Sequence, residues 1–404
     1  SLLCGTSLLA GCGVQAAHTA VPETDLAAEY EGEVKDGEGN FLVPFDVAYP
    51  EAFESGQYPY DENTLLLKMD QGAGLSRELK SCGVTSLEKF SSTEAGDWYR
   101  ASLKEGTSAE KAIKKVRSLH EVLVADFDYI YSTDAELDAD SVTDGTDAAE
   151  AEDTNGDGFL DDLWELIKPN TQVSDQKYLT QSGIQKAWWK LWRETGSAGG
   201  DRSVTVAVID TGVDYTHPDL VTNMWENRDE IPDNGIDDDG NGYVDDVHGA
   251  NTIADNGGAD GDEGDPMDDH GHGTHVAGII AAANNKEGIV GVAYNVKIMA
   301  VKAGQSTGVF NQSDIAEAIL YAYDMGADVI NMSFGGSASS IAVQEALETA
   351  YTRSTLVASA GNEGKPNEAT DNYRLYGEYM PNYPAALSYV IGVMSVDDNG
   401  SESS

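Results

Sequence analysis

The stretch DDHGHGTHVAG, Asp268 to Gly278, places His270, His272 and His275 within six residues. Imidazoles so close together can cage a metal or supply one general base. The cage would follow the H-x-H-x-D-H spacing of metallohydrolases, but Thr274 stands where that pattern needs a carboxylate. The helix that opens at His272 would also send the rings in different directions. A general base instead needs an acid on its far nitrogen, a hydroxyl nucleophile, and donors for an oxyanion. AVIDTGVDYTHPDL supplies such an acid, Asp210, at the end of an apolar run, and SAGNEG supplies an amide, Asn362. The base reading is therefore favoured, with His217, His248 and His275 as structural residues, His275 packed near the base.

These residues sit in a regular pattern. SVTVAVID is a continuous β-branched run that predicts a buried parallel strand. There follow the helix THVAGIIAAA, the strand VKIMAVKA, the helix SDIAEAILYAYDMG with Ser313 as its cap, and the strand ADVINMSF. The helix SIAVQEALETAYTR and the strand STLVASAG complete the series. Such alternation predicts an α/β fold with a doubly wound parallel sheet. Sites in these sheets lie at the carboxyl ends of strands, where Asp210, Ser333 and Asn362 fall.

The blocks IDTG, HGTHVAG and AGNEG resemble, in order and spacing, those of the subtilisin-like serine peptidases, the subtilase family, over residues 175–404. The resemblance implies that Asp210 orients His272, that His272 exchanges the serine proton, and that Asn362 donates to the oxyanion. A donor of this kind is worth about 3 kcal/mol of barrier, a magnitude known from this same family. Peptide substrates are expected as an extended strand against Ser333, Phe334, Gly335 and Gly336. Subtilases carry their nucleophile in a GTSMA-like block after the asparagine block, whereas this sequence closes on VDDNGSESS. The expectation is an exported serine endopeptidase, made as a zymogen and represented by a fragment that stops before its serine. The alternative is an inactive, peptidase-like protein that binds peptides or regulates; Asp210, His272 and Asn362 together favour the enzyme.

Calcium is the expected cofactor. NGIDDDGNGYVDD sets Asp237, Asp239, Asn241 and Asp245 at the odd spacing of an oxygen-rich loop. AANNKEG resembles the family's calcium loop, which implies side-chain ligands Asp219 and Asn285 and carbonyls of Ala283, Glu287 and Ile289. DTNGDGFLDD, in the 134–174 linker, is a third candidate, with Trp164 where a bidentate Glu belongs.

Upstream, residues 61–133 alternate strands with two helices, as a small α+β, ferredoxin-like domain would. Thr107 and Glu110 have the spacing of a capping box for the second helix. The pattern resembles subtilase inhibitory propeptides, and Lys111, Lys114, Lys115 and Arg117 would dock a basic helix on an acidic peptidase. Residues 13–60 read as an acidic tether, and 1–12 as part of an export signal in which LAGC resembles a lipobox ending at Cys12. The chain is thus expected outside the cell or in its envelope, with a possible lipid anchor. A formal charge of −47, from 71 acidic and 24 basic side chains in 404 residues, repels phosphates and excludes nucleic acid as a partner. Three cysteines build no disulfide scaffold.

Overall fold

The computed structural model describes residues 43–48, 53, 58–93, 95–133, 176–254, 265–361 and 381–395. Cys12, the 153–162 loop and Asn362 lie outside the described residues.

The first unit orders β1 (Tyr60–Met69), α2 (Arg77–Ser81), β2 (Val84–Thr93), β3 (Gly96–Leu103), α3 (Ala109–Val116) and β4 (Val122–Thr133), after a helical turn α1 (Phe45–Ala48). Its strands pair antiparallel in the order β4-β1-β3-β2, the βαββαβ arrangement read from sequence. Strand residues alternate between two faces. Odd positions, among them Leu65, Leu67, Tyr99, Ala101, Ala125 and Phe127, join Ile113 and Val116 of α3 in one core. Even positions face away from α3, and among them are Lys68, Arg100, Asp126 and Asp128, all buried. Charged groups on a buried face require partners, and the second unit provides them.

Two helix starts differ from expectation. Ser108, not Thr107, caps α3 by accepting the amide of Lys111; Glu110 instead accepts from the Tyr60 hydroxyl. Within the stretch read as a tether, Phe45 of α1 packs on Tyr58 with ring centroids 4.6 Å apart. Asp46 takes both terminal nitrogens of Arg117 at 2.7 Å.

The second unit begins with α4 (Lys177–Gln181) and α5 (Ile184–Thr195). Then come β5 (Thr205–Asp210), β6 (Gly249–Asn251), α6 (His272–Ala281), β7 (Lys297–Lys302), β8 (Val309–Asn311) and α7 (Gln312–Asp324). It closes with β9 (Val329–Met332), β10 (Phe334–Gly335), α8 (Ile341–Tyr351), β11 (Thr355–Ser359) and β12 (Ile391–Val393). Six of these strands form a parallel sheet in the order β12-β11-β9-β5-β7-β6. All six residues of β5 are buried, as its unbroken apolar run requires. The order reverses direction beside β5, which makes the carboxyl end of that strand a switch point.

The two units meet where the even-numbered face covers α7 and α8. Asp128 accepts the Ser313 amide and hydroxyl, and Asp126 accepts the Ile341 amide at 3.0 Å. Ser313 is thus an inner residue of the first turn, after the N-cap position Asn311, and its cap comes from the other unit. Lys68 reaches Glu345 at 2.8 Å, and Arg100 bonds both Asp314 and Glu317. The expected docking helix is not the contact: Lys111, Lys114 and Lys115 are exposed. Sheet charges replace helix charges because the helix packs on the opposite face.

Candidate active site

Asp210 ends β5 with no exposed surface. Its Oδ1 accepts the Thr211 amide at 2.7 Å and lies 2.7 Å from Nδ1 of His272. His272 is the first residue of α6 and is 6 % exposed. The Asp210 carboxylate orients the imidazole at this helix start. It also fixes the proton on Nδ1, directing Nε2 to act as base.

The helix reaches the strand end because position 273 is glycine. A Cβ there would lie 2.0 Å from the carbonyl oxygen of Gly212. Gly271, with φ of 101°, turns the chain into the helix.

Further polar residues hold the pair, and sequence reasoning missed them. Asp268 Oδ1 accepts from the amides of His270 and Gly271 and from the Thr211 hydroxyl. Its Oδ2 accepts the Thr274 amide and hydroxyl. Burial acts to raise the Asp268 carboxyl, but hydrogen bonds from Gly271, Thr274 and His270 outweigh it and hold the pKa below the usual value. Gly273 donates its amide to the Thr211 hydroxyl at 3.0 Å. Lys302, opposite Asp210 in the β5–β7 register, donates to the Thr211 carbonyl at 2.8 Å and to Asp269 at 2.6 Å. An acid six residues before a threonine near a helix start was the available signal for Asp268; Lys302 gave none beyond its strand-end position.

The other histidines do not converge. The ring of His270 is 6.4 Å from that of His272, centroid to centroid, and His275 is exposed on α6 rather than packed near the base. His248 stacks near Tyr215 and contacts the Trp225 carbonyl, while His217 Nδ1 accepts the Asp219 amide.

The strands expected to receive substrate are paired with the chain's own β4. Thr133 and Ser132 lie opposite Phe334 and Gly335 in antiparallel register. On the other side, Ile130, Tyr131 and Ser132 pair with Asn311, Phe310 and Val309. The Ile130–Thr133 segment is therefore the middle strand of three, and Tyr131 is buried beside Phe334. Ser333 accepts from Asn331 and Gly336 exchanges amide bonds with Tyr383, so of the four expected residues Phe334 and Gly335 form the paired edge.

Among the described residues, one group of carboxylates could hold a metal ion: Glu230, Asp237 and Asp239. Asp245, assigned to that site by spacing, is not one of the three carboxylates, whereas Asn241 adjoins Asp239. The Asn241 side chain bonds Asp239, Asp246 and the Tyr243 amide, and Asp245 accepts the amides of Asn234 and Gly235. In the second loop, Asn285 donates to Asp219 at 2.9 Å and accepts the Glu287 amide. The Asp219 carbonyl accepts the Ala283 amide at 2.7 Å. The side chains proposed as ligands there do meet.

The site is therefore a carboxylate–imidazole pair at the strand switch point of a parallel α/β sheet. The profile of the subtilase family, Peptidase S8, matches residues 201–404, and the chain belongs to that family. It is 36 % identical over 232 residues to a thermophilic serine proteinase of Bacillus sp. (strain AK1), covering 57 % of this chain and 46 % of that protein. Thermitase of Thermoactinomyces vulgaris is 35 % identical over 206 residues, with 49 % of this chain and 57 % of thermitase covered. The chain thus spans about half the length of these relatives. The crystal structure of fervidolysin from Fervidobacterium pennivorans, a keratinolytic enzyme related to subtilisin, superposes with a TM-score of 0.55 at 22 % identity, over 84 % of this chain and 44 % of fervidolysin. That likeness is one of fold.

Proposed function

We propose that this chain belongs to an exported serine endopeptidase made as a zymogen, with Asp210 and His272 as two members of an Asp-His-Ser triad. The observation that carries the reading is the 2.7 Å contact between His272 Nδ1 and the buried Asp210 Oδ1. Family membership and the relatives named above support it.

In this reading His272 Nε2 removes the serine proton as the hydroxyl attacks the scissile carbonyl, then returns it to the departing amine. Asp210 stabilises the imidazolium without itself being protonated. Asn362 donates to the tetrahedral oxygen. A protein or peptide substrate lies extended between Val309–Asn311 and Phe334–Gly335, the place held by residues 130–133. That occupancy is what an inhibitory prodomain would provide, so residues 61–133 are assigned that role. Calcium suits both acidic loops, since their donors are all oxygens. Export, with lipid attachment at Cys12, rests on the N-terminal sequence alone.

The test is a fluorophosphonate probe on the full-length protein after removal of the first unit. Labelling of one serine, absent in His272→Ala, supports the reading. Absence of labelling, with peptides still bound, would identify the non-catalytic binding protein instead.

A further inference from the structure

A cavity of about 440 Å³ opens between α5, the turn Val221–Asn223 and the loops that lead into β5 and β7. Its place in the fold separates it from the Asp210–His272 pair. Ser197 and Ala198 precede β5 and Asn295 precedes β7, so the cavity lies at the amino ends of strands whose carboxyl ends face the pair. Ala283 and Asn284 follow α6, which begins at His272; the ten residues of that helix span about 15 Å.

The floor is fixed by the protein itself. Asn223 is 4 % exposed, its Nδ2 donates to the carbonyls of Ala281 and Tyr294, and its Oδ1 accepts from Arg202. Trp188 of α5 meets the Tyr294 ring edge-on, with centroids 5.4 Å apart, and gives its indole N–H to the Val292 carbonyl. A Cβ at Gly199 would come within 2.5 Å of the same tyrosine ring, so the loop before β5 lies directly against it.

The lining is polar yet uncharged. Ser197, Thr222 and four asparagines contribute to it, and none of its residues is an acid, a lysine, an arginine or a histidine. In a chain of net charge −47 that is a local exception. Arg202 is not part of the lining; its guanidinium is taken up by Asn223 and the Thr222 carbonyl. Trp192 lines the cavity and keeps 40 % of its surface exposed, whereas Trp188, one turn earlier, is buried.

These features select among ligands. A phosphate or carboxylate would find no cation in the lining to meet it. An extended peptide needs a sheet edge, and no lining residue belongs to a strand. A wholly apolar ligand would cover amide and hydroxyl groups without replacing their bonds to water. An uncharged sugar satisfies every condition. Its hydroxyls match the donors and acceptors of amide side chains, and the C–H groups on one face of its ring suit the negative face of an indole.

We propose that this cavity is a saccharide-binding site, in which Trp192 stacks on a neutral sugar ring while Asn295 and Thr222 bond its hydroxyls. Asn295 gives its Nδ2 to Ser197 and to the Ala198 carbonyl, so Oδ1 is the acceptor it offers. A site this far from His272 holds the protein to a glycan without entering the bond cleavage. The inference goes beyond the peptidase reading and stands without it.

The experiment is calorimetric titration of the full chain, at fixed calcium, with maltohexaose, cellohexaose and N-acetylchitohexaose. A high-mannose glycoprotein, before and after enzymatic deglycosylation, forms a second arm. Saturable binding in at least one arm is expected; a free oligosaccharide as ligand points to polysaccharide, and the glycoprotein alone to protein-borne glycans. Trp192→Ala should weaken binding by about tenfold or more. Thr222→Val keeps the shape, removes only the hydroxyl and should weaken binding less; it decides the matter if Trp192→Ala melts lower than wild type. Lys190→Ala, exposed on α5 and outside the cavity, should bind as wild type does. Wild-type affinity in a fully folded Trp192→Ala places the sugar elsewhere and overturns the proposal. Absence of binding to every probe overturns it as well, and neither result bears on catalysis.

Discussion

Asp128, on the last strand of the first unit, accepts both the amide and the hydroxyl of Ser313, at 2.9 and 2.8 Å, and so caps a helix that belongs to the second unit. Both residues are essentially fully buried. Asp128→Ala would leave two buried donors unsatisfied and the first turn of α7 uncapped. Each loss of this type costs about 1 to 3 kcal/mol. Denaturant unfolding should show that loss, and an unchanged midpoint would remove the helix-capping role.

The same interface should respond to pH. Burial raises Asp126 and Asp314 to about 7, and Asp128 to about 6. For Asp126 the nearby Asp46 carboxylate adds to the rise and Arg117 opposes it; for Asp314 the opposing charge is Arg100. Groups raised in this way bind more protons in the docked, folded state than in the open one. Their contribution is fully present below the ordinary carboxylate value near 4 and is lost as pH rises through 6 to 7. The full chain should therefore hold its two units together more firmly at pH 5.5 than at pH 8. Melting temperature against pH tests this, and Asp126→Asn should flatten the slope.

Catalysis by the proposed peptidase should depend unequally on the pair. His272→Ala removes the base and should lower kcat by about a millionfold, while Asp210→Asn should lower it by about ten-thousandfold, since the ring remains but its tautomer is wrong. Steady-state rates with a fluorogenic peptide measure both. A drop of less than about tenfold for either would contradict the proposed roles.

How much of this was visible beforehand depends on how far apart the partners lie in sequence. The βα alternation and the Asp210–His272 pair were legible because each rests on a short block with its own strand-end or helix-start pattern. Asp126 and Asp128 read only as acids in an apolar strand, because their partners, Ile341 and Ser313, lie 215 and 185 residues away. The basic face of α3 was misleading for a related reason: charge counts do not say which face of a sheet is covered. Glu230 escaped notice since spacing rules look along a loop, whereas it enters the cluster from outside.

Gly336 controls how the first unit holds the second. A Cβ at that position would lie 2.3 Å from Cδ1 of Tyr131, so the Tyr131 ring fits only because position 336 has no side chain. Phe310 and Phe334, with ring centroids 4.6 Å apart, form the apolar wall beside it. Gly336→Ala must displace the tyrosine and with it the middle strand formed by residues 130–133. Overpacking of this kind costs about 1 to 3 kcal/mol, all of it borne by the docked state. In the full-length protein, Gly336→Ala should speed reaction with a fluorophosphonate probe before any cleavage of the first unit. Tyr131→Ala should do the same by withdrawing the ring instead of crowding it. Equal probe rates in wild type and both variants would show that this strand does not guard the site.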